Sequence, residues 1–311
     1  MQKISIAVLM QNDFGFEDGY IESIASNSKH LYKKIIINDK KRIDEPSLEL
    51  KVIQCWISDF LRNTTPLFPE YITAYEYGCS IIKNAQVHSN HSHILTLDIS
   101  SFFHSCTEDL VRKYFETNKF SSGGLNNAQK LSVNDINLLI DLTCYRGSLS
   151  IGSPSSPAIA NRLMLPIDKE IISTLDANCS YSRYSDDITI SSDEWIAVDE
   201  VVQRVSEILK KYGFTINERK THCTGKKDRR KITGVYLQPN GNLSIGRKRK
   251  NKLQKELYKY LVNRDGDPKH ILGCINFAVQ IEPTFVARLI AKYSNYGIAR
   301  EKGVMSALLK Q

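Results

Sequence analysis

Residues 183–192 read RYSDDITISS, two adjacent carboxylates inside a run otherwise built for a strand. Tyr184, Ile188, Thr189 and Ile190 are aromatic or β-branched and suit a pleated, half-buried surface. Aspartate is depleted from strands, and two neighbouring anions repel. A chain that folds around such a run must set Asp186 and Asp187 at a strand end and offset their charge. Taken alone, the pair also fits a turn in which each aspartate caps nearby backbone amides.

A partner stands upstream. SHILTLDISSFF carries Ile94, Leu95 and Leu97 into Asp98, the pattern of a central strand whose carboxylate sits where the strand leaves its sheet. Successive strand side chains point to opposite faces, so one of Asp186 and Asp187 faces Asp98 squarely and the other reaches around a turn. Carboxylates gathered this way call for a divalent cation, and hard oxygen ligands that leave room for phosphate oxygens suit Mg²⁺. Two such ions, about 3.5–4 Å apart, would activate a 3′-hydroxyl and stabilise a leaving pyrophosphate.

Charge points to the same class of substrate. Residues 204–260 hold 17 Lys and Arg against 4 Asp and Glu, whereas the whole 311-residue chain carries only +8. A polyanion held from one side, nucleic acid rather than a merely solvated helix face, is the expected partner. Seven cysteines without any C-x-x-C pair imply neither a disulfide framework nor a structural zinc site, and fit a reducing cytoplasm. No apolar run approaches the roughly 18 residues of a membrane span, so no membrane partner is expected.

Periodicity supplies coarse elements. Residues 16–30 read as a helix, and LYKKIIINDKKRID reads as two basic strands around a turn at Asn38–Asp39. Helical spacing follows over residues 46–63, then at 107–118 and 132–144 on either side of SSGGLNN. SPSSPAIANRLMLPIDKEIISTL begins as a loop capped by Ser155 or Ser156, with Pro157 in the first turn, and continues as a helix. After the acidic strand come a helix at 198–212, short strands TINER, ITGVYLQ and LSIG with a turn at Asn240–Gly241, and helices at 247–263, 268–280 and 283–295.

The order LDISSFF, SIGSPSSPAIANRLM, YSDD and GFTINERKT resembles the palm of reverse transcriptases over most of the chain. That resemblance implies an α+β right-hand polymerase with fingers, a palm (an antiparallel sheet with helices on one face) and a helical thumb. The expected division is fingers at 1–92, palm at 93–240 with a helical finger-side insertion about 106–145, and thumb at 241–311. It makes Asp98, Asp186 and Asp187 the catalytic acids, holding two Mg²⁺ ions together with Ile99. Phe103, five residues after Asp98, matches the bulky gate beneath the incoming sugar; its alternative is a core aromatic beside Phe102. Ser156 and Pro157 fall in the loop-helix that supports the incoming nucleotide. Many relatives have Gln before the Gly of that loop; this chain has Ile151, and what replaces the polar contact is left open. Lys220 matches a lysine that protonates pyrophosphate, or is simply a solvated lysine. Lys34, Lys41 and Arg42 of the basic hairpin would grip triphosphate oxygens, with Lys41 where Arg is expected, which shifts the bidentate grip to Arg42.

Two more motifs narrow the family. NAQVH (Asn84, Ala85, His88) is similar to the N-A-x-x-H signature of retron reverse transcriptases, and Ile232-Thr233-Gly234 to their V-T-G triplet. The resemblance implies RNA contacts at Asn84, Ala85, His88, Thr233 and Gly234, joined by Arg247, Lys248, Arg249 and Lys252 of the basic helix. It further implies dNTP substrates, a structured non-coding RNA partly copied into single-stranded DNA from a 2′-hydroxyl primer, and an antiphage role with an effector protein. His91 and His93 are expected at the surface or on RNA. Another prokaryotic reverse transcriptase, a palm-fold nucleotidyl cyclase and a non-catalytic RNA-binding scaffold are the competing readings.

Overall fold

The two apolar runs that carry the acids pair with each other. In the computed structural model, which describes residues 5–37, 41–64, 68–120 and 128–309, strand His93–Asp98 lies antiparallel to Asp187–Ser192. Ser180–Tyr184 joins on one side and His222–Thr224 on the other, so both acid-bearing strands are central in a four-stranded antiparallel sheet. Alternation puts Leu95, Leu97, Tyr181, Arg183, Ile188 and Ile190 on one face, all buried in one core with helices Ser155–Ser173 and Val198–Lys211. The other face carries Thr96, Asp98, Ser182, Asp187 and Thr189. A register slip of one residue would turn four Leu and Ile side chains outward, at about 1.5–3 kcal/mol each. That penalty holds Asp98 opposite Asp187.

The N-terminal region packs into the same core. Helix Ile6–Phe14, which periodicity did not suggest, buries Ile6 and Met10, and the Ile6 amide donates to Asp135 Oδ1 at 2.7 Å. The helix expected over 16–30 is interrupted by left-handed Gly19, leaving Tyr20–Asn27 and a 3₁₀ turn at Ser28–His30. The basic strands form as expected, Tyr32–Ile37 against Lys41–Pro46. The turn at Asn38–Asp39, the loop 121–127 and the side chains of Lys41 and Arg42 lie outside the described residues. Helices Leu48–Thr64, Glu108–Thr117 and Val133–Thr143 complete this half, the last opened by a Ser132/Asp135 capping box. Neither Ser155 nor Ser156 caps the helix they open: both lie inside it and are buried, with Pro154 in the capping position.

The region after residue 213 corrects two expected strands. TINER contributes one bridge, Ile216 to Ile99, and then a 3₁₀ turn at Glu218–Lys220, because the Asp98 strand takes its backbone bonds there one residue at a time. ITGVYLQ is a hairpin: Lys231–Ile232 turns back as Val235–Leu237 through Thr233 (φ 43°) and Gly234 (φ 89°). Two successive left-handed residues are the signature of a two-residue hairpin turn. Leu243–Ser244 adds a third strand. These strands share a second core with helices Arg247–Asn263, Pro268–Ile281 and Pro283–Tyr293, and with two short helices, Ala299–Lys302 and Val304–Leu309. Ala85 and Ile94 belong to it too. Among the described residues no helix is long and apolar enough to cross a membrane.

Candidate active site

Asp98 and Asp187 are cross-strand neighbours at the end of the polar sheet face. Asp186 occupies the two-residue turn between Tyr184 and Asp187. Its carbonyl accepts from the Ile99 amide at 2.9 Å, which carries the Asp98 strand alongside the turn. The Ile99 side chain is buried in the core, so any ligand it supplies is its main-chain carbonyl. Lys220 donates to Asp98 Oδ2 at 2.8 Å from an otherwise exposed side chain. This hydrogen bond, with the charges of all three carboxylates adding to it, raises the Lys220 ammonium. Burial, then the charges of Asp186 and Asp98, push the Asp187 carboxyl up to about 6 against the pull of Lys220. Oxygen donors crowded at this charge density fit a divalent cation.

A cavity of about 420 Å³ opens beside Asp98 and Asp186, walled by Phe103, Ile151, Tyr75 and Lys220. Phe103 is half-buried and meets Phe102 edge-on at 5.3 Å, so it both lines the cavity and touches the core. Ile151 reaches the cavity from the Ser150–Ser153 turn, which rests on the basic hairpin: Ser150 Oγ donates to the Asp44 carbonyl at 3.0 Å. Gly152 (φ 108°) permits this approach, since a Cβ there would meet Ile43 Cγ2 at 2.8 Å. Ser156 is 1% exposed and its hydroxyl donates to the Ser150 carbonyl at 2.7 Å. Direct nucleotide contact through Ser156 is therefore corrected to support of the turn, while Pro157 beside it is half-buried. Lys34 is exposed on the hairpin, opposite Asp44.

The acidic turn rests on residues that the motifs did not flag. Ser185 is left-handed (φ 61°) without being glycine, a conformation that costs on the order of 1 kcal/mol or more. Its hydroxyl pairs with the Tyr75 hydroxyl at 2.8 Å, and its carbonyl accepts from Arg183 Nη1 at 3.1 Å. Arg183 is fully buried and forms a two-point ion pair with Asp168, at 2.8 and 2.9 Å; Asn161 accepts from it at 3.0 Å. The available signal was an arginine on the apolar side of a strand, which needs a buried anion.

The N-A-x-x-H residues do not face solvent. Asn84, Ala85 and His88 are each 0% exposed, which corrects the expectation that they touch RNA directly. Asn84 Oδ1 accepts from Thr73 and Ser182, and its amide donates to Thr233 Oγ1 at 3.3 Å. His88 bridges Ser191 and Ser182 at 2.6 and 2.7 Å, and burial, then His91, lower it to about 3, so it is neutral. His91 also meets Ser191, and His93 packs edge-on against exposed Trp195. Thr233 and Gly234 are half-buried; Arg249 donates to the Gly234 carbonyl at 2.8 Å and lies over Phe277. Arg247, Lys248 and Lys252 are exposed on the helix whose Leu253, Leu257, Tyr260 and Leu261 are buried.

Residues 32–237 match the family described as reverse transcriptase (RNA-dependent DNA polymerase). The chain belongs to the reverse transcriptase family. It is 34% identical over 267 residues to the retron Ec83 reverse transcriptase of Escherichia coli, covering 81% of this chain and 82% of that one. It is 26% identical to the retron Ec86 reverse transcriptase of the same organism, covering 84% and 80%. The enzyme is thus an RNA-directed DNA polymerase of the retron type with the right-hand α+β fold, and divalent-metal dependence and template binding come with that family. A telomerase structure from Candida albicans, with a fragment of telomeric RNA, is similar at 11% identity and a TM-score of 0.49. It covers 100% of this chain, which spans 62% of that one.

Proposed function

We propose that this reverse transcriptase copies part of its own structured non-coding RNA into single-stranded DNA, primed from an RNA 2′-hydroxyl. The joined RNA–DNA product would serve antiphage defence in the cytoplasm together with an effector protein. The observation that carries the catalytic part is Asp98 set opposite Asp187 on the open sheet face, with Asp186 in the adjoining turn. The retron relatives, matching about four-fifths of the chain, support the choice of template.

Asp98, Asp186, Asp187 and the Ile99 carbonyl would hold two Mg²⁺ ions, which supply nucleophile activation and neutralise the leaving pyrophosphate. Around them, Lys220 would hand a proton to pyrophosphate, and Phe103, which lines the same cavity, would sit beneath the sugar and exclude a 2′-hydroxyl. Pro157 and the turn that Ser156 braces would shape the nucleotide pocket, and Lys34, Lys41 and Arg42 would draw the triphosphate. Thr233, Gly234, Arg247, Lys248, Arg249 and Lys252 remain the proposed RNA surface. In this reading fingers span 1–92, palm 93–240 with its insertion about 106–145, and thumb 241–311.

The test is the nucleic acid that accompanies the protein from cells carrying its genomic neighbourhood. Sequencing should return an RNA joined to DNA through a branched linkage, and Asp186→Asn should return the RNA alone. RNA alone from the unaltered protein would reduce the reading to an RNA-binding scaffold. DNA with an ordinary 3′-primed junction would remove the retron priming.

A further inference from the structure

Three ligand-type side chains converge on the C-terminal helices, away from the catalytic carboxylates. His270 and Cys274 stand one turn apart on helix Pro268–Ile281, and Glu256 approaches from helix Arg247–Asn263. His270 Nε2 lies 3.6 Å from Cys274 Sγ and 3.8 Å from Glu256 Oε2, and the three ligand atoms all fall within 4.8 Å of one another. For bonds of roughly 2.0–2.3 Å, the edges of a tetrahedral site run about 3.3–3.8 Å. Two of the three separations already lie in that range.

A second observation concerns Glu256. Its Oε2 is shielded from water and has no hydrogen-bond partner, while Oε1 lies 3.6 Å from Lys252 Nζ. A desolvated carboxylate oxygen of this kind is unfavourable until a cation or donor reaches it. The three side chains also line one groove of about 470 Å³, which leaves room for water as a further ligand.

We propose that Glu256, His270 and Cys274 form a binding site for a thiophilic divalent ion of the Zn²⁺ class. Residues four apart on a regular helix present their side chains on one face, which is how a helix supplies two ligands to one metal. Thiolate and imidazole select Zn²⁺ over Mg²⁺, which sets this site apart from the all-oxygen catalytic one. On binding, the S–Zn bond forms as the Cys274 thiol releases its proton to solvent, and thiolate and carboxylate together balance the charge of the ion. Burial, then Glu256, raise the Cys274 thiol, and Lys252 and Arg249 at the border of the groove offset this only in part. An ion here would tie helix Arg247–Asn263 to helix Pro268–Ile281 within the thumb. The motif is invisible to a search for C-x-x-C, because only one ligand is a cysteine and the carboxylate comes from a separate helix.

The test is a Co²⁺ titration of the full-length protein in excess Mg²⁺, read by absorption. Oxygen ligands at the catalytic site produce no sulfur-to-cobalt charge-transfer band, so that band reports thiolate ligation, which Cys274→Ser assigns to the thumb site. It should saturate at one ion per chain and disappear when Zn²⁺ is added. Cys274→Ser should abolish it, Glu256→Gln and His270→Gln should weaken binding, and Asp186→Asn should leave it intact, each variant checked for native circular dichroism. Absence of the band in the unaltered protein, or its survival in Cys274→Ser, overturns the site.

Discussion

Asp187 is half-buried beside two other carboxylates, which makes it the titrating member of the proposed catalytic group. Its folded value of about 6 lies above the usual 3.8, so between those values the metal-free folded protein holds a proton that the unfolded chain has released. That increment of stability is therefore present at low pH and lost as pH rises through about 6. A divalent ion must displace the same proton. We expect divalent affinity to fall as pH drops below about 6, with proton release on binding. Calorimetry in buffers of different ionisation enthalpy would measure it; Asp187→Asn should remove both the release and DNA synthesis while leaving the fold. Near-normal extension by that variant would mean the metals sit elsewhere. Phe103 invites a separate test. Phe103→Val opens the wall of the cavity and should raise ribonucleotide incorporation relative to deoxyribonucleotides in primer extension. Unchanged discrimination would make the ring simply a packing partner of Phe102.

Among the elements, helix Arg247–Asn263 shows how far periodicity reaches. Its bounds and its buried stripe follow directly from apolar spacing, and Arg247, Lys248, Lys255 and Lys259 stand exposed along it. Replacing Arg247, Lys248 and Lys255 with Gln should weaken RNA binding across sequences and lower the slope of log affinity against log salt by roughly one unit per lost phosphate contact. Extension of template already bound should persist. A filter-binding series over salt measures both, and an unaltered slope would take this helix out of the interface. The hairpin Ser180–Tyr184 to Asp187–Ser192 is different. Its strands were legible, but the strained Ser185 at its tip is held by Tyr75 and by the Arg183–Asp168 pair, three residues drawn from separate segments.

Among the described residues, helix Ile81–Val87 belongs to the second apolar core and lies against the polar face of the central sheet, whose other face lies in the first core. Ala85 belongs to the second core, while Asn84 and His88 bond to Ser182 on the central sheet. Asn84 also reaches Thr233 of the small hairpin, so the two signature motifs are joined to each other. Asn84→Ala removes the acceptor shared by Thr73 and Ser182 and the donor to Thr233, and we expect it to cost about 1–3 kcal/mol in urea denaturation. His88→Ala should act similarly. RNA affinity per folded molecule should stay near that of the unaltered protein, and a selective loss of RNA preference without loss of stability would restore a direct reading role to these residues.

What the amino-acid order alone determined is whatever rests on local pattern. The apolar runs flanking Asp98 and Asp187 set two strands, the 3.6-residue spacing set the long C-terminal helices, and the order of the motifs was enough to indicate a polymerase palm. Tertiary packing decided which side chains meet. A motif records residue types at fixed spacing, but burial depends on what lies across the interface. N-A-x-x-H thus proved to be an interior joint, Ser156 a brace, and TINER a turn once the Asp98 strand had taken its backbone partners. Arg183 and Asp168 were hidden for the same reason: two charges are stable in an apolar core only when the fold brings them into contact, and no local spacing encodes that meeting.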